Sequence, residues 1–383
     1  MKSFGFRLLI GILVLASRPT LSRAPVGIVA VDCGGNHSVA LRADGTVLTW
    51  GSSEYSQLAR SQEQLKSFSF QAEATRVPLP VRDLRDIKAV AAGLNHTLVL
   101  KADGTVWGWG ANYWGQVGDG TKENPRELPA QVAGLHDVTA LAAGFNHSLA
   151  LKRNGTVAVW GFVGNSLDGE GLPHPSLVPG LADIKAISGK GGHAVALKSN
   201  GTVWVWGDNL HGQLGNGTTG GNSLSPIQVP GLIGVVAISA GSFHTLALKA
   251  DGTVWGWGDN GVGQLGDGTF GQHPSPVQVS GLSGITAIFT GHAHSFAIAR
   301  DGTVYGWGYN TYGELGDGAF VNRSSPVLLR GFAGAAFIAG GADHTIAIKK
   351  DGSVWVAGYN YAGQLGMDGP TRPSPTRLSS KEF

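Results

Sequence analysis

A fifteen-residue unit recurs seven times along this chain and constrains its fold more than any other feature. The clearest copy runs from His244 to Gly258 and reads His-Thr-Leu-Ala-Leu-Lys-Ala-Asp-Gly-Thr-Val-Trp-Gly-Trp-Gly. Copies open at His37, His96, His147, His193, His244, His294 and His344, 46 to 59 residues apart. Each carries Asp-Gly or Asn-Gly seven residues on, and six further on Trp-Gly, replaced by Ala357-Gly358 in the last copy. Self-similarity at so long a period marks an architecture of stacked units, none of which buries its faces alone.

Every unit divides into four strands. A short apolar run such as Val235 to Ala240 precedes the histidine strand. In that strand residues alternate, with His96, Leu98 and Leu100 on one face and Thr97 and Val99 on the other. Asp-Gly then supplies a tight hairpin, because glycine accepts the positive φ such turns require. The third strand sets Thr105, Trp107 and Trp109 on one face against Val106, Gly108 and Gly110 on the other. One face is bulky and the other nearly bare, so small twisted sheets stacked face to face bury the tryptophans. The fourth part carries a proline in every copy (Pro78, Pro129, Pro175, Pro226, Pro276, Pro326 and Pro375), which places it at a strand start or a sheet edge. Seven such units predict an all-β, seven-bladed β-propeller of four-stranded antiparallel blades. If the blades are offset from the repeats, the strand near Pro375 to Leu378 closes against the first unit.

The propeller is expected to occupy residues 25–383 as a single domain. Residues 1–24 read as a signal peptide, with Lys2 and Arg7, an apolar run from Leu8 to Ala16, then small residues. This predicts a secreted or periplasmic protein; an uncleaved N-terminal anchor is the alternative. With 42% hydrophobic residues and 11 tryptophans, the glycine-rich chain (61 glycines) can still bury a core. A net charge of +2 without a basic run argues against nucleic acid, or a membrane surface beyond the N-terminal segment, as partner. Cys33 is the only cysteine, so no intramolecular disulfide forms.

Four motifs carry a family resemblance: Gly-x-x-His (Gly241 to His244), Asp-Gly-Thr-Val-Trp (Asp251 to Trp255), Trp-Gly-x-Asn (Trp257 to Asn260) and Gly-Gln-Leu-Gly (Gly263 to Gly266). In this order and period they resemble the regulator of chromosome condensation repeat family across all seven units. The resemblance implies a seven-bladed propeller. The founding nuclear member exchanges guanine nucleotide on a GTPase and binds chromatin, which makes exchange or chromatin binding the alternative function. A plant ultraviolet-B receptor of the family uses tryptophans just before its histidines; here those positions hold none. The chain departs from the pattern in three units. Unit 1 has Ser56-Gln57-Leu58-Ala59 and extra residues from about Arg60 to Thr75. Unit 3 has lost the Gly-Gln-Leu-Gly motif, and unit 4 carries Lys190 in place of the glycine before its histidine.

Antiparallel order puts the loops joining strands one to two and three to four on one side of the disc, where the units differ. These loops hold Tyr55, Tyr113, Trp114, Phe162, His211, Tyr309, Tyr312, Tyr359 and Tyr361, with Phe145, Phe243 and His292 from the shorter loop. Tyrosine and tryptophan provide large contact area at low conformational cost, so these twelve are the candidate partner-binding residues. The seven histidines sit one per unit, too far apart to share an ion, and are expected to hydrogen-bond backbone within their own blades. No catalytic, cofactor or metal motif stands outside the repeat. The sequence therefore reads as an exported, monomeric, non-enzymatic scaffold that binds a protein partner, with a structural envelope or matrix role as a further alternative.

Overall fold

The computed structural model describes residues 27–60, 74–164 and 170–379. The expected signal peptide and most of the unit 1 insertion lie outside the described residues. In the first blade β1 (Ile28–Cys33), β2 (His37–Arg42), β3 (Val47–Ser52) and β4 (Ala74–Pro80) pair antiparallel in that order. Six further four-stranded sheets repeat the pattern, giving the seven-bladed propeller, with one 3₁₀ turn among the described residues, at Arg330–Phe332.

Each blade is built from one contiguous stretch, so blades coincide with repeats and no strand is exchanged at closure. The conditional expectation of a C-terminal strand completing the first blade is corrected. The ring closes instead through faces: Ile28, Val31, Leu48 and Trp50 of blade 1 share one apolar cluster with Ile346, Val354, Val356 and Leu365 of blade 7. The prolines lie within the outermost strands rather than at their starts, as Pro129 does in Arg126–Gln131. There the missing N–H faces no neighbouring strand.

Stacking follows the bulky-and-bare alternation. Trp109 packs with Val39, Leu41 and Val47 of blade 1, while Leu98, Leu100 and Val106 on the opposite face meet Trp160 of blade 3. Trp50, Trp109, Trp160, Trp257 and Trp307 are wholly buried. Each contributes on the order of 4–5 kcal/mol from the area it removes from water. The first tryptophan of the pair behaves differently: Trp107 is half-buried, with the Lys101 ammonium 5.7 Å from its ring centroid.

Seven inner strands surround a central cavity of about 210 Å³ with mostly apolar walls that include Val29, Val90, Leu141, Phe289 and Phe337. Six inner strands have six residues; that of blade 4, Ile184–Ser188, has five. Beyond it, Lys190 turns into the cavity and reaches across the ring. Its Nζ lies 3.4 Å from Asp32 Oδ1 and donates to the carbonyls of Cys33 and Gly340, at 2.8 Å each. The cavity is thereby bridged at the end that carries the one-to-two loops.

Candidate binding face

The repeat motifs turn out to be clasps between blades. In six blades the histidine Nε2 meets the hydroxyl that follows the next blade's histidine: His37 with Thr97 (3.1 Å), His96 with Ser148 (3.0 Å) and His344 with Ser38 (2.8 Å) are three of them. The expected partner, backbone of the same blade, is corrected to a side chain of the next. That hydroxyl donates in turn to a carbonyl of the preceding blade's Gly-Gln-Leu-Gly loop, as Ser148 does to Gln116 and Ser295 to Gln264. The buried indole N–H of the same blade shares this acceptor; Trp160 reaches Gln116 and Trp307 reaches Gln264, both at 2.9 Å. Glycine precedes the histidine because a Cβ at Gly93 or Gly241 would overlap the ring. Burial holds these imidazoles neutral, with His37, His96, His147, His244 and His294 pushed down to about 3.

The long three-to-four loops are wound around the asparagine of Trp-Gly-x-Asn. Asn260 Oδ1 accepts the Leu265 N–H at 2.9 Å, and its amide donates to the Thr269 carbonyl at 3.1 Å. Asn112, Asn209, Asn310 and Asn360 repeat the arrangement. Gln57, Gln116, Gln213, Gln264 and Gln364 each accept the N–H two residues upstream. Blades 1 and 3 have Ser53 and Val163 at the asparagine position. The aspartates of Gly-Asp-Gly, Asp119, Asp267 and Asp317, pair with Arg126, His273 and Arg323. Among the described residues no group of three histidine, cysteine or acidic side chains is placed to hold a metal ion.

On these scaffolds the structure gathers eleven of the twelve candidate side chains into three clusters on one side of the disc. Trp114 of blade 2 lies 4.6 Å, centroid to centroid, from Phe162 of blade 3, with Tyr113 edge-on to it at 5.0 Å. Phe145, His211, Phe243 and His292 join blades 3 to 6, with ring separations between 4.9 and 5.7 Å. Burial lowers His292 to about 3. Tyr309, Tyr312, Tyr359 and Tyr361 form the third cluster, on blades 6 and 7, at 6.3, 4.7 and 6.2 Å in succession. Tyr55 stands on the blade 1 loop, with its N–H on Gln57. Tyr113 and Tyr361 are the most open, 66% and 72% exposed; most of the other candidates are half-buried against their neighbours.

The sequence reading overlooked several residues of this face. Leu210, Phe270, Phe320 and Val321 are exposed on the same long loops. Glu314 stands where five other blades have glutamine and is fully buried. Its Oε2 accepts the Tyr312 N–H at 3.0 Å, whereas its Oε1 meets no donor. Burial, with a smaller contribution from the Asp343 charge, pushes its carboxyl up to about 7, and burial raises Asp343 as well. A charge at a repeat position that is otherwise an amide was the available signal.

Comparison with known proteins agrees with this architecture. The RCC1-like domain model matches residues 9–287, and two models of the regulator of chromosome condensation (RCC1) repeat match residues 301–348, and 285–314 with 336–364. The human E3 ubiquitin-protein ligase HERC2 is 35% identical over 260 residues, which is 66% of this chain and 4% of the ligase. The Arabidopsis thaliana ultraviolet-B receptor UVR8 is 30% identical over 249 residues, 63% of this chain and 44% of the receptor. This chain thus matches a small part of the ligase and under half of the receptor. Yeast RCC1 (Prp20), solved with Kap60, superposes with a TM-score of 0.77 at 24% identity, covering 96% of this chain and 90% of that one. Matched over most of its length by the domain model and, up to residue 364, by repeats of the same kind, the chain belongs to the RCC1-like domain family.

Proposed function

We propose that this chain is an exported, non-enzymatic scaffold that engages a protein partner through the loop face carrying the three aromatic clusters. The observation that supports this reading is the concentration of rings there. Tyr113, Tyr312 and Tyr361, like Leu210, Phe270, Phe320 and Val321, are exposed on loops whose backbones are fixed by buried asparagines. Apolar and aromatic side chains exposed on rigid loops have the composition of an interface core. The opposite side offers Asp-Gly hairpins that are nearly alike in every blade, and so has little with which to discriminate between partners. Export rests on the charged and apolar pattern of residues 1–24.

The test is affinity capture from the native compartment with the wild-type protein and with a Tyr113→Ala, Tyr309→Ala, Tyr361→Ala variant of equal thermal stability. The expected outcome is a partner whose affinity falls about a hundredfold or more in the variant, as for the loss of interface anchors. Undiminished binding of that partner would place the interface elsewhere on the disc.

A further inference from the structure

We propose that the seam between blades 6 and 7 on this face, where Tyr312 and Tyr359 meet, receives an alkylammonium group, the head of a lysine side chain presented by the partner protein. The proposal rests on the protein-binding reading above and specifies its chemistry at one place. Four tyrosines are set in sequence there: Tyr309 and Tyr312 cross at 74°, Tyr312 and Tyr359 approach to 4.7 Å, and Tyr359 and Tyr361 stack at 17°. Ring faces carry the negative lobes of the aromatic quadrupole and attract a desolvated cation. Tyr312 and Tyr361 are open to solvent, while Tyr309 and Tyr359 are half-buried, so the cluster leads from the surface inward.

Comparison with the sister blades shows what the site lacks. In blade 5, Gln264 donates its amide to Asp259 at 2.7 Å; in blade 7, Gln364 directs its amide to Asn36 of blade 1 at 3.4 Å. In these two blades the glutamine amide provides the donor to an acceptor, whereas the Gln213 amide of blade 4 is buried without one. Blade 6 replaces that amide with the Glu314 carboxyl, and the counterpart of Asn36 in blade 7 is Asp343. The donor has been removed, and the position facing it holds a second acid. Glu314 Oε1 is left buried and unpartnered, and no ion pair with a basic side chain engages either carboxyl among the described residues. A buried acceptor without a donor is costly and rare in native structures. A lysine ammonium is compact, brings three donors to a single buried oxygen and carries the compensating charge, whereas the wider planar fork of arginine pairs best with both oxygens of one carboxylate, and Glu314 Oε2 already accepts the Tyr312 N–H.

The experiment uses the full chain, with Nα-acetyl-lysine N-methylamide as probe, its Nε-acetylated counterpart as the neutral control, and free methylammonium, read by ligand-observed NMR above neutral pH. Saturation transfer to the lysine ε-methylene is expected, with weaker transfer to methylammonium and none to the acetylated probe. Glu314→Gln restores the glutamine of five other blades, so it should melt no lower than wild type while lysine binding falls about tenfold or more. Tyr312→Leu should weaken lysine binding with Glu314 in place. Equal binding of the acetylated probe, absence of binding by the lysine probe, or undiminished binding in folded Glu314→Gln would each overturn the pocket. Such a failure leaves the protein-binding face standing if the triple tyrosine variant still loses its partner. Loss of the lysine pocket and loss of the face are therefore separate results.

Discussion

His147 is the strand histidine whose two ring nitrogens are both buried without a partner, and the cause lies one blade away. Where the other six blades offer serine or threonine after the histidine, blade 4 has Ala194, itself fully buried. The change coincides with the loss of Gly-Gln-Leu-Gly in unit 3, the loop that would otherwise supply the carbonyl to which such a hydroxyl donates. Ala194→Ser should give His147 a partner and stabilise the protein by about 0.5–1.5 kcal/mol in chemical denaturation, the net worth of one buried hydrogen bond. Both departures were visible in the sequence. Their connection was not, because the clasp joins residues about fifty apart that no local pattern relates.

At the scale of the element, the inner strand of blade 4 shows a substitution doing more than filling a gap. Lys190 ends that strand one residue early and ties blade 4 to blades 7 and 1 across the axis. Asp32 is also held by the N–H groups of Cys33 and Ala92, so the far end of the bridge is rigid. Lys190→Gly restores the glycine of the repeat but removes the bridge. It should therefore destabilise by roughly 2–3 kcal/mol in urea unfolding, less than for a fully buried ion pair because Asp32 is partly solvated. A gain in stability would mean that the repeat's own glycine outweighs the bridge. The sequence marks Lys190 only as a departure from the repeat's glycine, since a contact across the centre of a ring has no periodic signature.

For the whole molecule, the buried histidines set the response to acid. Their folded pKa values lie near 3 or 4, below the ordinary 6.5, so the unfolded chain binds more protons throughout the interval between. Stability is fully present above about pH 6.5 and is lost as pH falls toward the folded values. Each of these imidazoles withdraws on the order of 1 kcal/mol by about pH 5.5, and with His292 and His344 shifted in the same direction the set withdraws several kcal/mol, a large share of the total stability of a domain. Unfolding followed by circular dichroism should show a steep acid transition between about pH 6 and 5. Glu314, raised to about 7, acts in the opposite sense between its unfolded 4.5 and that value, but it is a single group.

The fold was legible because alternation, hairpin glycines and paired tryptophans recur at a fixed spacing in every unit. The loop face was legible only as a composition. Which rings touch, and which carboxyl lacks a donor, depends on contacts between neighbouring blades, and a seam such as Tyr312 against Tyr359 joins different repeats.

Because each blade comes from one contiguous stretch, the seam between Trp50 and Gln364 is chemically the same as the seam between Trp109 and Gln57. The ring has no lock that only its terminal strands can turn. Blade order along the gene is thus a matter of descent rather than mechanics: a circular permutation begun at another junction would present the same seven interfaces, in the same cyclic order, to the same partners.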